Sequence, residues 1–446
     1  MKTREFFLLL LIIAAGTLLT HYETGEIENW RFRWEGDGWG PFLRTGKAFT
    51  FEEAGALPPP FSGALEVVNE HGSVEVRGGT EESLTVTLSK KVWRRNEEDA
   101  RRAAESLGLI LKDDGRTVIV AAGRPDAGLR NHETHFILAV PQGMKVTVRN
   151  AHGRVHVLRT GDTIISNSHG AVEAGEVGGS LTLENRHGTV SAADIAADCS
   201  IRNRHAGVRA SRVKGNLKVE QAHSPVDAED VSGEVTINAT HSRVTGRRLS
   251  GSVKVDASFN TVSLTETGPA LVRGRHTEIV LRAVRGGVDV SNSHGRTMVS
   301  EATGEVKIRG RNMPVRGEGL AASGIDILTS HGGVDLRNFS GRTTIRQKHA
   351  AVRLEPASID GGILVEAEYA PLEFLWPAAA RSPVECRARH GRVRWFLPQA
   401  PSQSTHNGVS LVRAFSDREG KPPVTLITSH ADITVREGAG SARSED

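Results

Sequence analysis

Apolar and polar residues alternate with a period of two around a set of regularly spaced valines, isoleucines and leucines, and this alternation is typical of β-strands. The alternation carries a repeated motif of the form N-x-H-G-x-V, and we call its histidine position the marker. The first markers recur at a nearly constant spacing, so each repeat is one structural unit. The marker positions are His152, His169, His187, His205, His223, His241, Phe259, His276, His294, Asn312, His331, His349, Tyr369 and His390, followed less regularly by His406 and His430.

Three apolar columns keep step with the marker, at four residues before it and at three and eight residues after it. Around His187 the three positions are Leu183, Val190 and Ile195. Each unit therefore contributes two or three short strands, which bury their apolar side chains only when units stack on one another. The sequence predicts an all-β fold, a parallel β-solenoid (β-helix) of about sixteen coils of 17–21 residues each.

The hand of the solenoid is predicted from the connections between parallel strands, which are overwhelmingly right-handed. A left-handed hexapeptide solenoid stays open as an alternative, because the repeat is close in length to three hexapeptides. The coil spacing of about 4.8 Å gives a rod on the order of 75 Å long.

Residues 63–141 do not keep the period, and we expect them to form a small α+β N-terminal cap that shields the first coil. The cap contains one predicted helix, which begins after Asn96 as N-cap and ends before Gly108. Residues 23–62 are predicted to be a linker, 142–436 the solenoid repeats, and 437–446 a disordered tail. The C-terminal edge is predicted to be the less protected one, so any self-association is expected there.

The N-terminus has the polarity of an export signal. Lys2 and Arg4 precede an apolar run over residues 6–19, and acidic residues follow it. Neither an A-x-A cleavage site nor a lipobox cysteine follows the run, which favours a signal anchor over residues 1–22, with a cleaved signal peptide as the alternative. The predicted location is the cell envelope, either anchored in the inner membrane facing the periplasm or exported.

Composition supports a thin core rather than a large globular one, because only 5% of the 446 residues are aromatic while 48 are glycine. The formal net charge of +3 offers no overall electrostatic case for nucleic acid binding. The two cysteines, Cys199 and Cys386, are predicted to lie many coils apart and to stay unpaired. Neither C-x-x-C nor H-E-x-x-H spacing is present, so no metal site and no cofactor are predicted.

Several features together resemble the bacterial putative-adhesin β-strand-repeat family, a domain-of-unknown-function group. They are the anchor, a first G-S-V-E-V strand pair (72–76), a short helix, a strand ending V-P-Q-G-M (140–144), and the N-x-H-G-x-V coils. The resemblance covers residues 63 to about 436 and implies an exported β-solenoid on the cell envelope. It brings no catalytic residues, and this chain departs from it in having His where the family tends to show Asn before Gly.

The marker column is interpreted as a structural ladder of stacked His and aromatic rings rather than as a metal site, because a ligand position would not accept Phe. In the repeat before His187, Leu183 and Asn185 share its parity, so the marker is expected to face inward. Partial burial and like-charged neighbours would then lower the histidine pKa values below about 6.5. The asparagine two residues before the marker is predicted to form an amide ladder, at Asn150, Asn167, Asn185, Asn203 and Asn292. The predicted ring ladder comprises His152, His169, His187, His205, His223, His241, Phe259, His276, His294, His331, His349, Tyr369 and His390.

Charges also recur, seven residues after the marker. They alternate in sign along Asp194, Arg212, Asp230, Arg248 and Glu266, which predicts an exposed ion-pair ladder. Glu176 beside Asp194 is a like-signed pair of the kind that cleaves glycosidic bonds, but no cleft-forming insertion accompanies it. Four arginines directly before the marker are expected to point outward, where anionic glycans or lipid head groups could bind: Arg186, Arg204, Arg275 and Arg389.

The function predicted from these features is that of a non-catalytic exported envelope protein. It would act as an adhesin or scaffold that presents repeated faces to envelope glycans or other envelope proteins, and it would be attached to the membrane by its N-terminal anchor. Many weak contacts with a repeating ligand would add up along such a rod. The alternative is a carbohydrate-active β-helix enzyme, a polysaccharide lyase or hydrolase.

Overall fold

The computed structural model describes residues 46–123, 131–378, 380–415 and 420–438. These residues confirm the all-β class and the parallel β-solenoid, which has about 13 turns rather than the predicted sixteen. The predicted signal segment (1–22), most of the predicted linker and residues 439–446 lie outside the described residues.

The described residues contain one helix, α1 (Glu97–Glu105), which starts at the predicted N-cap Asn96. The strands are β1 Lys47–Leu57, β2 Ala64–His71, β3 Val74–Gly79, β4 Leu84–Arg94, β5 Leu109–Asp113, β6 Val118–Ala122, β7 His132–Pro141, β8 Lys145–His152, β9 Val155–Leu158, β10 Thr163–Ser166, β11 Val172–Val177, β12 Leu181–Glu184, β13 Val190–Ile195, β14 Cys199–Asn203, β15 Val208–Val213, β16 Leu217–Ala222, β17 Val226–Val231, β18 Val235–Thr240, β19 Arg243–Leu249, β20 Val253–Ser258, β21 Thr261–Thr267, β22 Ala270–Val284, β23 Val288–Ala302, β24 Val306–Arg311, β25 Val315–Glu318, β26 Ala321–Ser330, β27 Val334–Lys348, β28 Val352–Pro356, β29 Ile363–Glu368, β30 Leu372–Trp376, β31 Val384–Arg389, β32 Val393–Trp395, β33 Ser402–His406, β34 Val409–Ala414, β35 Val424–Ser429 and β36 Ile433–Glu437.

Like positions of successive turns lie directly beside one another. In β12 and β14, which are parallel, Leu183 pairs with Ile201, and in the other sheet Val190 of β13 pairs with Val208 of β15. Each partner is one repeat further along the chain, so the periodic columns of the sequence become physical columns. The resulting core is one continuous cluster made mostly of Val, Ile and Leu side chains, and each fully buried one of these contributes about 1.5–3 kcal/mol.

The chain reverses its inward and outward parity at two points in most turns of the regular region. Seven residues after the marker, the backbone takes the left-handed conformation, as at Glu176 (φ 51°) and Asp194 (φ 59°). The pairing of β11 with β13 skips these two residues and resumes at Val177 and Ile195, both of which are buried. A strictly alternating strand would have turned those two apolar side chains outward.

The N-terminal end of the rod is covered by the segment that does not keep the period. β7, β4 and β1 continue one sheet beyond β3, and β6 and β5 continue the other beyond β2. The half-buried Lys90–Glu53 ion pair (2.7 Å) joins β4 to β1, and the Lys90 ammonium also donates to the carbonyl of Ala104 in α1. Residues 47–57, placed in the linker by the sequence, are therefore strand β1, because alternate residues of this segment pack along β4.

The C-terminal end departs from chain order. β35 lies between β29 and β31, and β36 lies between β30 and β32, so the last turn of the chain is inserted between two earlier turns.

His406 belongs to an antiparallel hairpin, β33–β34, that pairs with β31 and does not form a turn of the solenoid. The predicted count of sixteen assumed one turn for each marker in chain order. The hairpin also covers one edge of β31, at the C-terminal end of the rod that the sequence predicted to be the less protected one.

Candidate functional site

The marker side chains form a column of rings on one corner of the solenoid, which we call the ring column. Ring centroids of neighbours lie 4.7 Å apart between His152 and His169 and 5.1 Å apart between His241 and Phe259, with nearly parallel planes in both pairs. The stack is continuous from His71 to His294. Every residue of the predicted ladder lies in this column.

Asn312 interrupts the ring column, and its side-chain amide lies 3.0 Å from Nε2 of His294. A second stack begins at His331 and runs through His349 and Tyr369. Spatial order then departs from chain order, because the second stack continues from Tyr369 to His430 (4.6 Å) and from His430 to His390 (5.0 Å).

Two members of the column were not in the predicted ladder. His71 follows the marker pattern in E-H-G-S-V, so its motif could have identified it. His430 shows a marker position but no regular spacing, and only the inserted last turn brings it into the column.

The rings face solvent, which corrects the inward orientation expected from parity. Phe259 is 53% exposed and Tyr369 is 49% exposed, and His187 is exposed although Asn185 before it is buried. In most turns the reason is the first of the two parity reversals. From His223 onward most markers are themselves in the left-handed region, whereas His187 is followed by Gly188 with φ 144°. Either arrangement turns the marker side chain away from the core.

Buried amides support this corner from the inside. The side-chain amide of Asn185 donates to the carbonyls of Gly170 (3.1 Å) and Gly188 (3.0 Å), and the amide of Asn167 donates to Asn185 Oδ1 (3.4 Å). These bonds satisfy carbonyl groups that the turn leaves without strand partners. All five predicted amide-ladder residues are buried, namely Asn150, Asn167, Asn185, Asn203 and Asn292.

The pKa of two ring-column histidines is lowered. Partial burial lowers the pKa of His169, and the neighbouring His152 and His187 lower it further. Burial and His152 lower the pKa of His71 in the same way, against the opposing carboxylates of Glu70 and Glu133. These two rings therefore resist protonation more than a fully solvated histidine does.

The predicted ion-pair ladder is present as separate pairs rather than as a continuous column. Arg212 binds Asp194 through two bonds (2.6 and 2.7 Å), and this bidentate contact lowers the pKa of the Asp194 carboxyl. Arg248 binds Asp230 in the same manner. Glu266 forms an ion pair with no described residue, since Arg248 in the turn before binds Asp230 and the position one turn further on is Ala283.

The two carboxylates considered as an acid/base pair are held by different arginines. Glu176 accepts from Arg159 at 3.1 Å, and Asp194 accepts from Arg212 on the opposite side. Both pairs are largely exposed, and each is worth only about 0–1 kcal/mol.

The ring column does not have the geometry of a metal site. Imidazoles that share a zinc ion direct their ring-nitrogen lone pairs, which lie in the ring plane, towards one point. Neighbouring rings in this column stack face to face instead, as His187 and His205 do with centroids 4.7 Å apart and an interplanar angle of 6°. Among the described residues, no group of His, Cys, Asp and Glu side chains is suited to holding a metal ion. Cys199 and Cys386 are both buried thiols in different turns, and burial raises the pKa of each to about 12.

An open groove of about 730 Å³ lies on the outward sheet face next to the ring column, across β14, β16, β18, β20 and β22. Its lining includes the small side chains of Ala222, Thr240 and Ser258, each directly before a marker. Arg204 and Arg275 hold the same position in the turns at its two ends. Periodicity alone did not reveal this groove, because it depends on which outward positions carry small side chains.

The comparisons with known proteins provide little beyond this geometry. No family model matches the chain, and no curated protein matches it. One solved structure is similar, described as a putative cell adhesion protein from Clostridium sporogenes. The similarity covers 87% of this chain and 100% of that one, with 6% sequence identity and a TM-score of 0.16. In the described ranges no helix combines the length and the apolar character needed to cross a membrane.

Proposed function

We propose that this protein is a non-catalytic, adhesin-type protein of the bacterial cell envelope that binds glycans along its ring column. The observation that supports the proposal is the exposure of rings at positions where the backbone does not require them. Asn312 has the same left-handed backbone (φ 53°) as Phe259 (φ 57°). Asn adopts this conformation more readily than a bulky residue does, so the turn by itself would favour Asn.

The groove beside the ring column supplies the polar groups that a glycan site needs in addition to exposed rings. Asn238, Asp256 and Thr240 offer hydrogen-bonding groups along the groove, and Arg204 and Arg275 offer planar guanidinium donors. Sugar rings have apolar faces and polar edges, so they suit a surface in which exposed rings border polar side chains. Repetition from turn to turn adds many weak contacts for a repeating polymer.

The export signal predicted at the N-terminus supports a location in the cell envelope, anchored in the inner membrane facing the periplasm or exported. In that location envelope glycans are the main partners, and other envelope proteins could pack against the same repeated faces. The arrangement of carboxylates favours binding over the carbohydrate-active enzyme, because Glu176 and Asp194 are each neutralised by an arginine of an adjacent turn.

The test is binding of the full-length protein to an array of envelope polysaccharides and oligosaccharides. We compare it with the ring variant His241→Asn/Phe259→Asn/His276→Asn, which keeps residues that accept the left-handed backbone. The matched control is Arg209→Asn/Arg247→Asn/Arg282→Asn, which changes three exposed positions on β15, β19 and β22 away from the column.

The expected result is binding of at least one glycan by the parent, with about a tenfold or greater loss in the ring variant and little change in the control. Thermal melts of all three proteins verify that the fold is kept. Equal binding by the ring variant and the parent would mean that the rings only stabilise the corner. Release of sugar fragments during the incubation would favour the enzyme instead.

A further inference from the structure

Arginines border the ring column on both sides. The flanking positions lie directly before the marker and two residues after it. Between His152 and His276 these positions carry one carboxylate, Glu278, which lies 3.9 Å from Arg296. In the same interval they carry Arg154, Arg186, Arg204, Arg243 and Arg275.

The five arginines are exposed, and none of them forms an ion pair with a described residue. Elsewhere on the same molecule, exposed arginines do find carboxylates, as Arg202 does with Glu220 at 2.8 Å. The column edge is therefore a line of unneutralised positive charge, although the protein as a whole carries a formal net charge of only +3.

The histidines can add to this charge. Arg186 acts electrostatically on His169, which also faces His152 and His187. Carboxylates also lie near the column: Glu220 and Asp256 line the adjoining groove, where Glu220 is bound to Arg202 at 2.8 Å, and Glu278 flanks His276. Glu70 and Glu133 act on His71, and beyond Asn312 Glu368 acts on His349 and His430 while bound to Lys348 at 2.8 Å.

Protonating neighbouring rings in one column brings like charges together, and each added charge makes the next less favourable. A bound polyanion relieves that repulsion, so binding and protonation favour each other. The rings recur once per turn, about 5 Å apart, which suits a linear polymer with regularly repeated anionic groups.

We propose that the ring column from His152 to His276, with its flanking arginines, binds a linear anionic glycan carrying sulfate or carboxylate groups, and that acidic pH strengthens the binding. The inference rests on the proposed glycan-binding function and narrows its ligand class. The arginines bind the polymer at any pH, whereas the histidines contribute the part of the affinity that increases at acidic pH.

The experiment measures binding of the full-length protein to dextran sulfate at about pH 7.5 and about pH 5, since sulfate groups keep their charge over this range. Neutral dextran of the same length and a single-stranded DNA oligonucleotide serve as comparison probes. We expect binding of dextran sulfate at both pH values, about tenfold tighter at the lower one, weaker binding in high salt, and no binding of dextran.

Two variants separate the two kinds of group. Arg186→Gln/Arg204→Gln should weaken binding several-fold at both pH values, whereas the control Arg209→Gln/Arg247→Gln should change it less than about twofold. His187→Phe/His205→Phe/His223→Phe keeps the rings, following the precedent of Phe259 in the same column, and should clearly reduce the tightening at low pH, because it removes three of the seven ring-column histidines from His152 to His276.

The outcomes distinguish this inference from the function on which it rests. Dextran bound as tightly as dextran sulfate would overturn the anionic ligand class and leave glycan binding intact. Oligonucleotide bound as tightly as dextran sulfate would overturn selectivity for a glycan. Tightening at low pH that is undiminished in the Phe variant would overturn the role of the histidines, and failure to bind any glycan on the array would overturn the proposed function itself.

Discussion

The turns from β8 to β30 and the turns from β31 to β36 stack in the same buried columns but differ in connectivity. In the first region each turn packs on the one before it in the chain, whereas in the second the last turn lies between two earlier ones. The buried columns nevertheless stay in register, since Val365 pairs with Leu426 and Leu426 pairs with Cys386. Like positions stack on like positions whatever their order in the chain.

The inserted turn costs little in loop entropy. Stacked partners such as Leu183 and Ile201 are one repeat apart in the chain, whereas Val365 and Leu426 are separated by several repeats. The closure cost grows with the logarithm of loop length, so a loop about three times as long adds only about 1 kcal/mol. Burial of one apolar side chain contributes about 1.5–3 kcal/mol, which offsets that addition. Side-chain stacking thus outweighs chain order in deciding which turns are neighbours.

The largest expected effect comes from removing a turn, and it should differ between the two regions. Deleting residues 420–446 takes away β35 and β36, so β31 and β32 lose their parallel neighbours and the apolar end at β29 is exposed. We expect proteolytic cleavage within residues 384–415 and aggregation on heating. Limited proteolysis with mass spectrometry measures this.

The matched control deletes residues 208–225, one complete turn of the regular region. Val190 of β13 can then pair with Val226 of β17, because the deletion keeps the register of every column. This variant should stay resistant to protease and melt cooperatively. Equal damage from the two deletions would contradict the idea that stacking alone defines the neighbours.

Single core positions should behave alike in both regions. Ile201→Ala in β14 and Leu426→Ala in β35 each remove a side chain that is at most 1% exposed, and each should cost about 2–5 kcal/mol. Denaturant unfolding, combined with hydrogen exchange to localise the loss, measures both. A much smaller loss for Leu426→Ala would show that the inserted turn packs less tightly than the regular ones.

The buried hydrogen bonds that support the corner beneath the ring column should contribute more stability in the regular turns than in the inserted turn. Asn185→Ala removes two hydrogen bonds to corner carbonyls and a neighbour of Asn167, and should cost about 1–3 kcal/mol. Thr428 occupies the equivalent position in the inserted turn and donates one bond, at 3.2 Å, to the carbonyl of Ala370. Thr428→Val should therefore cost less, about 0.5–1.5 kcal/mol. Urea melts of the two variants test the order, and a larger loss at Thr428 would refute it.

The smallest expected effect is on pH dependence. The pKa values of His71 and His169 in the folded chain lie below that of an unfolded histidine, so the unfolded chain binds more protons in the window between the two values. Their contribution to stability is present above about pH 6.5 and is lost as the pH falls through that window. His169→Phe should reduce the fall in melting temperature on acidification, whereas Phe259→Asn, which titrates in neither form, should leave it unchanged.

The outcome at the ring column shows where sequence reasoning ends. The sequence alone places His187 and His205 in one column, because a constant repeat length implies that equivalent positions of successive turns stack on one another. The direction in which these side chains point is visible only in the backbone conformation. Gly188 and the left-handed markers reverse the alternation of inward and outward side chains, which the alternating sequence pattern does not reveal. The groove likewise could not be predicted from the sequence, because it depends on Ala222, Thr240 and Ser258 sharing one outward face.

The sequence by itself determined the all-β class, the parallel stacking, the buried columns and the membership of most of the ring column, since each follows from the regular period of the marker. Tertiary structure alone decided that the rings face solvent, that residues 47–57 join the cap as β1, and that the last turn is inserted beside Tyr369. The physical reason is that these two sets of features depend on different properties of the chain. Periodicity encodes which positions are equivalent, whereas local backbone handedness and the small entropic cost of long loops decide where equivalent positions point and which turns meet.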